Sequence, residues 1–218
     1  LITNTDLDYN ETFADVTLTK KLGNFQVDAG AGVSFFNEKS KYQDGEKLNR
    51  SETKFLPHLN LQYKFNNATS VRASYSQSYS YPYTKDFNDS YTIQSYQSIF
   101  YGNRNLRQAL THTASLNFSH FNSFTFFNIF ANLSYTLQEK SIQTQSVLNR
   151  DFIISGNDTI VNNYQFNTLI NSGNNQETYS GYFMIGKRFA KWYNARLTGN
   201  ISTSNYYTIT PNIEYENG

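Results

Sequence analysis

Two runs joined by a short polar turn constrain this chain most. Phe55 to Phe65 reads FLPHLNLQYKF, with Phe55, Pro57, Leu59, Leu61, Tyr63 and Phe65 on one phase. His58, Asn60, Gln62 and Lys64 occupy the other phase. After Asn66-Asn67, Ala68 to Tyr81 reads ATSVRASYSQSYSY. There Val71, Ala73, Tyr75, Tyr79 and Tyr81 alternate with Ser70, Arg72, Ser74, Ser76, Ser78 and Ser80. Side chains of a strand point alternately to its two faces, so this period-two pattern predicts a β-hairpin with one apolar and one polar face.

The pattern recurs three more times. Glu11 to Leu22 carries Ala14, Val16 and Leu18 opposite Asp15, Thr17 and Thr19. Gly23-Asn24 is the expected turn, and Phe25 to Phe35 returns with Val27, Ala29, Ala31 and Val33 opposite Gln26, Asp28, Gly30, Gly32 and Ser34. Thr111 to Phe121 and Phe124 to Gln138 flank an expected turn at Asn122-Ser123. Tyr179 to Phe189 and Trp192 to about Tyr206 flank one at Ala190-Lys191. The segments 1–10, Asn37 to Ser51, Pro82 to Leu110 and Ser141 to Gln176 lack clean alternation and read as loops. The expectation is an all-β chain of eight antiparallel strands in up-and-down order. Short turns lie at one end and long loops at the other.

Two architectures use such strands. A β-sandwich, as in a soluble adhesin, turns its apolar faces inward against each other. A transmembrane β-barrel turns them outward to lipid and its polar faces to a lumen. Loop asymmetry favours the barrel, which has short turns on one side of the membrane and long loops on the other. Aromatic residues beside the turns, such as Phe25, Phe65, Phe121, Phe124, Phe189 and Trp192, match an interfacial girdle. The strands are long enough to cross a bilayer when tilted. Strand-centre charges sit on the polar phase; Lys187 is on the apolar phase, but near a turn where it can snorkel. Composition agrees: 18 Tyr and 18 Phe accompany abundant Ser, Thr and Asn, a β-rich and not a disordered mixture. A net charge of +1 gives no case for nucleic acid, and the absence of cysteine excludes disulfides and thiolate metal sites. No apolar run is long enough for a transmembrane helix.

Candidate site residues follow from this reading. In the long Tyr-rich loop, Tyr83, Tyr91, Tyr96 and Tyr101 are candidate ligand contacts, because exposed Tyr binds with little loss of side-chain entropy. Asp28, His58, Arg72, Arg188 and Arg196 are expected to face the lumen. Phe126, Phe130, Tyr182 and Met184 are bulky groups on the same phase, suited to packing against a filling domain. His58, His112 and His120 lack a metal-ligand spacing, so no metal site and no cofactor is expected. Ser80 and His112 are expected near one rim, but no third group orients the histidine, so no catalytic set is expected and the chain does not read as an enzyme.

The stretch PHLNLQYKFNNATSVRASYSQSYSYPYTKDFN, followed by YGNRNLRQALTHTASLNFSHF, resembles the barrel region of TonB-dependent receptors and the related outer-membrane β-barrel family. That family follows a Ser- and Tyr-rich strand with a GNP-x-L-x-PE phrase. Gly102-Asn103 and Leu106 match it, whereas Arg104 replaces the first Pro and the residues after Leu106 depart from the phrase. The resemblance implies a barrel of about 22 strands with a plugged lumen, in the outer membrane of a Gram-negative bacterium. It implies energised import of a bulky or scarce solute. The implied partners are the lipid bilayer, a plug domain of the same full-length protein, TonB through an upstream region, and a surface lipoprotein. Eight strands can close a small barrel, but both ends of this chain fall on the long-loop side and Gly218 is not the aromatic ending such barrels favour. Residues 1–218 therefore read as one partial barrel region, a sector without its plug. A barrel that binds at the surface or scaffolds a complex without transport is the alternative.

Overall fold

The computed structural model describes residues 6–41, 46–87, 91–155, 158–190 and 192–205. Eight strands form one antiparallel wall: β1 (Asp6–Leu22), β2 (Phe25–Lys41), β3 (Lys47–Lys64), β4 (Thr69–Ser80), β7 (Ala109–Asn122), β8 (Phe127–Glu139), β11 (Gln176–Ala190) and β12 (Tyr193–Asn205), side by side in that order. Four more strands form a second sheet at the long-loop end: β5 (Tyr91–Ser95), β6 (Ser98–Tyr101), β9 (Ile142–Ser155) and β10 (Asp158–Asn171), in the order β5-β6-β10-β9. No helix among the described residues is long and apolar enough to cross a membrane.

The register carries the two-faced pattern across the whole wall. One cross-strand row of register partners runs Val27, Leu61, Ala73, Leu116, Leu133, Gly181, Ile201, all on the apolar phase. The adjacent row on the other face runs Thr19, Asp28, Asn60, Ser74, Ser115, Ser134, Ser180, Ser202. Within it, Ser74 and Ser115 hydroxyls lie 2.8 Å apart and those of Ser134 and Ser180 2.7 Å apart. Among the described residues no second layer covers the apolar side chains: Leu18 and Ile201 are each 74% exposed. A soluble sandwich would bury them; a wall facing lipid leaves them outward.

The rows also step relative to the turns. The row that starts beside the first turn, at Leu22 and Phe25, reaches β11 at Phe183, with the strand still to run to Ala190. Such a stagger is the shear that tilted strands need in a barrel wall. The wall is open, because β1 and β12 each pair on one side only. Gly30 allows close packing on the polar face: a Cβ there would sit 2.5 Å from the Val16 carbonyl oxygen and from His58 Nε2.

Several local expectations change. Much of the Asn37 to Ser51 segment is strand and not loop, because β2 and β3 stay paired out to Lys41 and Lys47; residues 42–45 lie outside the described residues. Its charges do not end the strands, because on the polar face they pair with one another. The Ser141 to Gln176 segment is the long hairpin β9–β10, and the Pro82 to Leu110 segment contains a 3-10 turn (Thr84–Phe87) and the hairpin β5–β6. The expected excursion at Phe152-Ile153-Ile154 falls within β9. Of the four turns, Gly23-Asn24 is as expected, with Gly23 at φ 59°. The second is centred on Asn67, where the Asn66 side chain accepts from the Ala68 amide at 2.8 Å. The third spans Ser123 to Phe126, held by Asn122 Oδ1 accepting from the Phe124 and Thr125 amides. The fourth lies one residue beyond Ala190-Lys191, after an irregularity between Arg188 and Ala190; Lys191 lies outside the described residues. Polar side chains that cap a turn lengthen it, and the strand periodicity carries no record of that.

Candidate functional site

The site is built on the extension of β2 and β3 past the membrane-length part of the wall. Even-numbered residues of both strands keep to the polar face, so Phe36, Glu38, Arg50, Glu52 and Lys54 share it with Glu11 and Tyr9 of β1. Residues 81–87 and 104–108 fold against this face. Their anchor is the phrase singled out in the sequence. Leu106 is 1% exposed and packs with Phe87, Leu48, Ile142 and Leu169, a small apolar core at the long-loop end. Asn103 donates to the Leu169 carbonyl at 2.8 Å and accepts from the Asn105 amide at 2.9 Å. Asn171 accepts from the Arg107 amide and donates to the Arg107 and Lys140 carbonyls. Gln108 accepts from Lys54 Nζ at 2.9 Å. The phrase is thus a brace joining the wall, the Tyr-rich segment and the β9–β10 hairpin.

Arg50 is the centre of that brace. Its two terminal nitrogens donate to the Leu106 and Arg104 carbonyls at 2.7 and 2.6 Å. The buried Glu38 carboxylate lies 3.8 Å away and accepts from Ser40 at 3.0 Å. A planar guanidinium suits two carbonyls at once, which a lysine ammonium does not.

Between brace and wall lies a cavity of about 300 Å³, lined chiefly by Tyr9, Glu11, Phe36, Arg50, Tyr81 and Tyr83. Phe36 stacks on Tyr81 with centroids 4.7 Å apart and on Tyr9 at 6.4 Å. Glu11 Oε1 accepts from Ser34 at 2.5 Å and from the Tyr81 hydroxyl at 3.1 Å. Burial pushes Tyr81 up to about 12, with Glu11 adding to the rise and the Ser34 hydrogen bond opposing it. Tyr81 therefore stays a neutral donor at any physiological pH.

The sequence-chosen residues divide among four places. Tyr83 lines the cavity. Tyr91 and Tyr101 face each other across β5–β6 at 5.0 Å, and Tyr96, 95% exposed, is at that hairpin's tip. Asp28, His58 and Arg72 lie on the polar face: Asp28 accepts from Asn60 at 2.8 Å, and His58 contacts Asp15 at 3.5 Å and Thr17 at 2.9 Å. Arg188 and Arg196 come together at the short-turn end, around a cleft with Phe126, Asn128 and Asn194. Phe130 and Tyr182 touch at 5.9 Å, whereas Phe126 belongs to a turn at φ 49° and not to a strand. Ser80 and His112 fall on opposite faces, since Ser80 is on the polar phase and His112 pairs with Gln77 on the apolar one. There His112 Nδ1 meets Tyr75 at 2.9 Å and Gln77 at 3.1 Å, below Glu139 at 3.5 Å. Among the described residues no group of His, Cys, Asp and Glu is arranged to hold a metal ion. Tyr9, Glu11, Phe36, Glu38 and Arg50 were missed as site residues. Their signal was phase: continuing the alternation of β1 to β3 outward puts all five on the polar face.

A tilted wall, lipid-facing on one side and polar on the other, defines a membrane β-barrel protein. The sequence matches the outer membrane protein beta-barrel family over residues 2–218, and the chain belongs to that family. It is an outer membrane protein of the Gram-negative type. Among solved structures it is similar to the siderophore receptor PirA from Pseudomonas aeruginosa, with a TM-score of 0.55 and 12% identity over 93% of this chain and 44% of that one. The siderophore receptor PirA from Acinetobacter baumannii follows, with a TM-score of 0.47, 12% identity, and coverage of 92% and 37%. The chain thus spans less than half the length of these receptors. Comparison with curated protein sequences gave no match.

Proposed function

We propose that this chain is the wall sector of a TonB-dependent outer-membrane receptor that imports a bulky solute. The observation that carries the reading is the braced cavity at the long-loop end, open to the same polar face that runs down the wall to Arg188 and Arg196. A surface anchor or scaffold needs no binding cavity continuous with its lumen side. The long-loop end is the entrance, and the polar face is the conduit. A plug from the rest of the full-length protein fills the lumen and packs on Phe130, Tyr182 and Met184. TonB engages an upstream segment, and a surface lipoprotein is a fitting partner for the β5–β6 and β9–β10 rim. The solved receptor of similar fold makes ferric siderophores one solute class to try first.

The test is uptake in the host bacterium. Deleting the gene is expected to abolish accumulation of at least one labelled solute among ferric siderophores, oligosaccharides and peptides. Removing TonB is expected to give the same loss. Unchanged uptake of all three classes in both strains contradicts transport and favours the scaffold reading.

A further inference from the structure

We infer that the rim cavity takes an organic cation carried on an apolar or planar body: an ammonium or guanidinium group attached to an aromatic or alkyl scaffold. This rests on the reading of the long-loop end as the ligand entrance, and it names the chemistry recognised there.

Three features of the lining point to that class. The first is charge. Among the described residues, the charged groups against the cavity are Glu11, Glu38 and one guanidinium, Arg50. Arg50 is committed to the Leu106 and Arg104 carbonyls and to Glu38, so it does not neutralise Glu11. The second is valence. Glu11 Oε1 takes both the Ser34 and Tyr81 hydroxyls, and Oε2 has no partner among the described residues. A carboxylate oxygen beside aromatic walls is best satisfied by a cationic donor. The third is the aromatic ladder of Tyr9, Phe36 and Tyr81, stacked with interplanar angles of 28° and 22°. Ring faces carry negative quadrupole density and attract ammonium and guanidinium groups. An anionic group would instead meet Glu11 and Glu38. At about 300 Å³ the cavity is at the small end of ligand pockets (about 300–1,000 Å³). It admits one side group of a larger solute and leaves the remainder over the lumen.

The experiment uses the full-length protein in detergent micelles, titrated with tyramine and with tyrosol. The two share a phenol ring and differ in ammonium against hydroxyl. Binding is read by saturation-transfer NMR and calorimetry. Tyramine is expected to bind about tenfold or more tighter than tyrosol, a preference worth about 1.4 kcal/mol per factor of ten. Glu11→Gln is expected to erase most of that preference while leaving heat-modifiable electrophoretic mobility unchanged. Raising the salt concentration is expected to weaken tyramine binding to the native protein and to leave Glu11→Gln unaffected. Equal affinity for the two compounds overturns the inference. So does a preference that survives Glu11→Gln, or a folded protein that binds neither compound. Uptake is measured separately. Lost selectivity with import intact removes only this inference; absent import with selectivity intact removes only the transport reading.

Discussion

Leu61→Arg is expected to prevent assembly of the full-length protein into the outer membrane, whereas Gln62→Arg, one residue on, is expected to assemble. Leu61 sits on the apolar phase between Val27 and Ala73, well away from the turn at Asn67. An arginine there places a guanidinium in hydrocarbon, at a cost of about 2–4 kcal/mol near the bilayer midplane. That is a large part of the few kcal/mol by which a folded protein is stable. Gln62 points to the polar face, between Gln26 and Arg72 and within reach of Asp28's surroundings. A second cation opposite Arg72 costs about 0.2–1 kcal/mol. Heat-modifiable migration of the outer-membrane fraction reads both variants. Equal assembly of the two contradicts the face assignment.

Arg50→Ala is expected to release the rim without unfolding the wall. The substitution leaves the Leu106 and Arg104 carbonyls without their donor and Glu38, 3% exposed, without its cation. Breaking a buried charge pair from one side costs about 3–5 kcal/mol. The 3.8 Å separation puts this pair at the lower end, and the orphaned carbonyls add to it. Arg50→Lys rescues little, because one ammonium cannot serve both carbonyls in the plane of the fork. Hydrogen exchange reads the effect. Amides of β5, β6 and residues 102–108 are expected to lose protection, while those of β7 and β8 keep theirs. A rim that stays protected contradicts the role given to Arg50.

The wall was legible because lipid and lumen impose a period-two pattern on every residue of a spanning strand. The apolar row through Leu61, Leu116 and Leu133 follows from that alternation, and so does the serine row through Ser74, Ser115 and Ser134. The rim was illegible for the opposite reason. Past Phe35 the strand leaves the membrane, water takes one face and the brace around Leu106 covers the other, and Asn37 to Ser51 no longer has to alternate in hydropathy. Pairing then rests on cross-strand contacts such as Glu38 with Arg50, which lie far apart in sequence and repeat with no period. The β9–β10 hairpin is hidden likewise, since its Asn- and Gln-rich strands pair in the open. The same cause hid the cavity. Tyr83 was recognisable as a loop aromatic, but Glu11 and Phe36 become site residues only when residues 81–87 and 106–108 fold onto them. The family phrase around Leu106 marked the right stretch, and its structural meaning, a brace, came from the contacts of Asn103, Leu106 and Gln108.

The central claim is that the apolar phase of the wall faces lipid and the polar phase faces the lumen. Neighbouring residues of β7 test it most directly, since Leu116 and Ser115 belong to opposite phases of one strand. The full-length protein, in a cysteine-free background, carries a bimane label on a single cysteine at one position or the other and is reconstituted with brominated lipid. The account predicts strong quenching by the lipid bromines at 116 and little at 115, with aqueous iodide giving the reverse order. Equal quenching at the two positions, or lipid quenching stronger at 115, would contradict it.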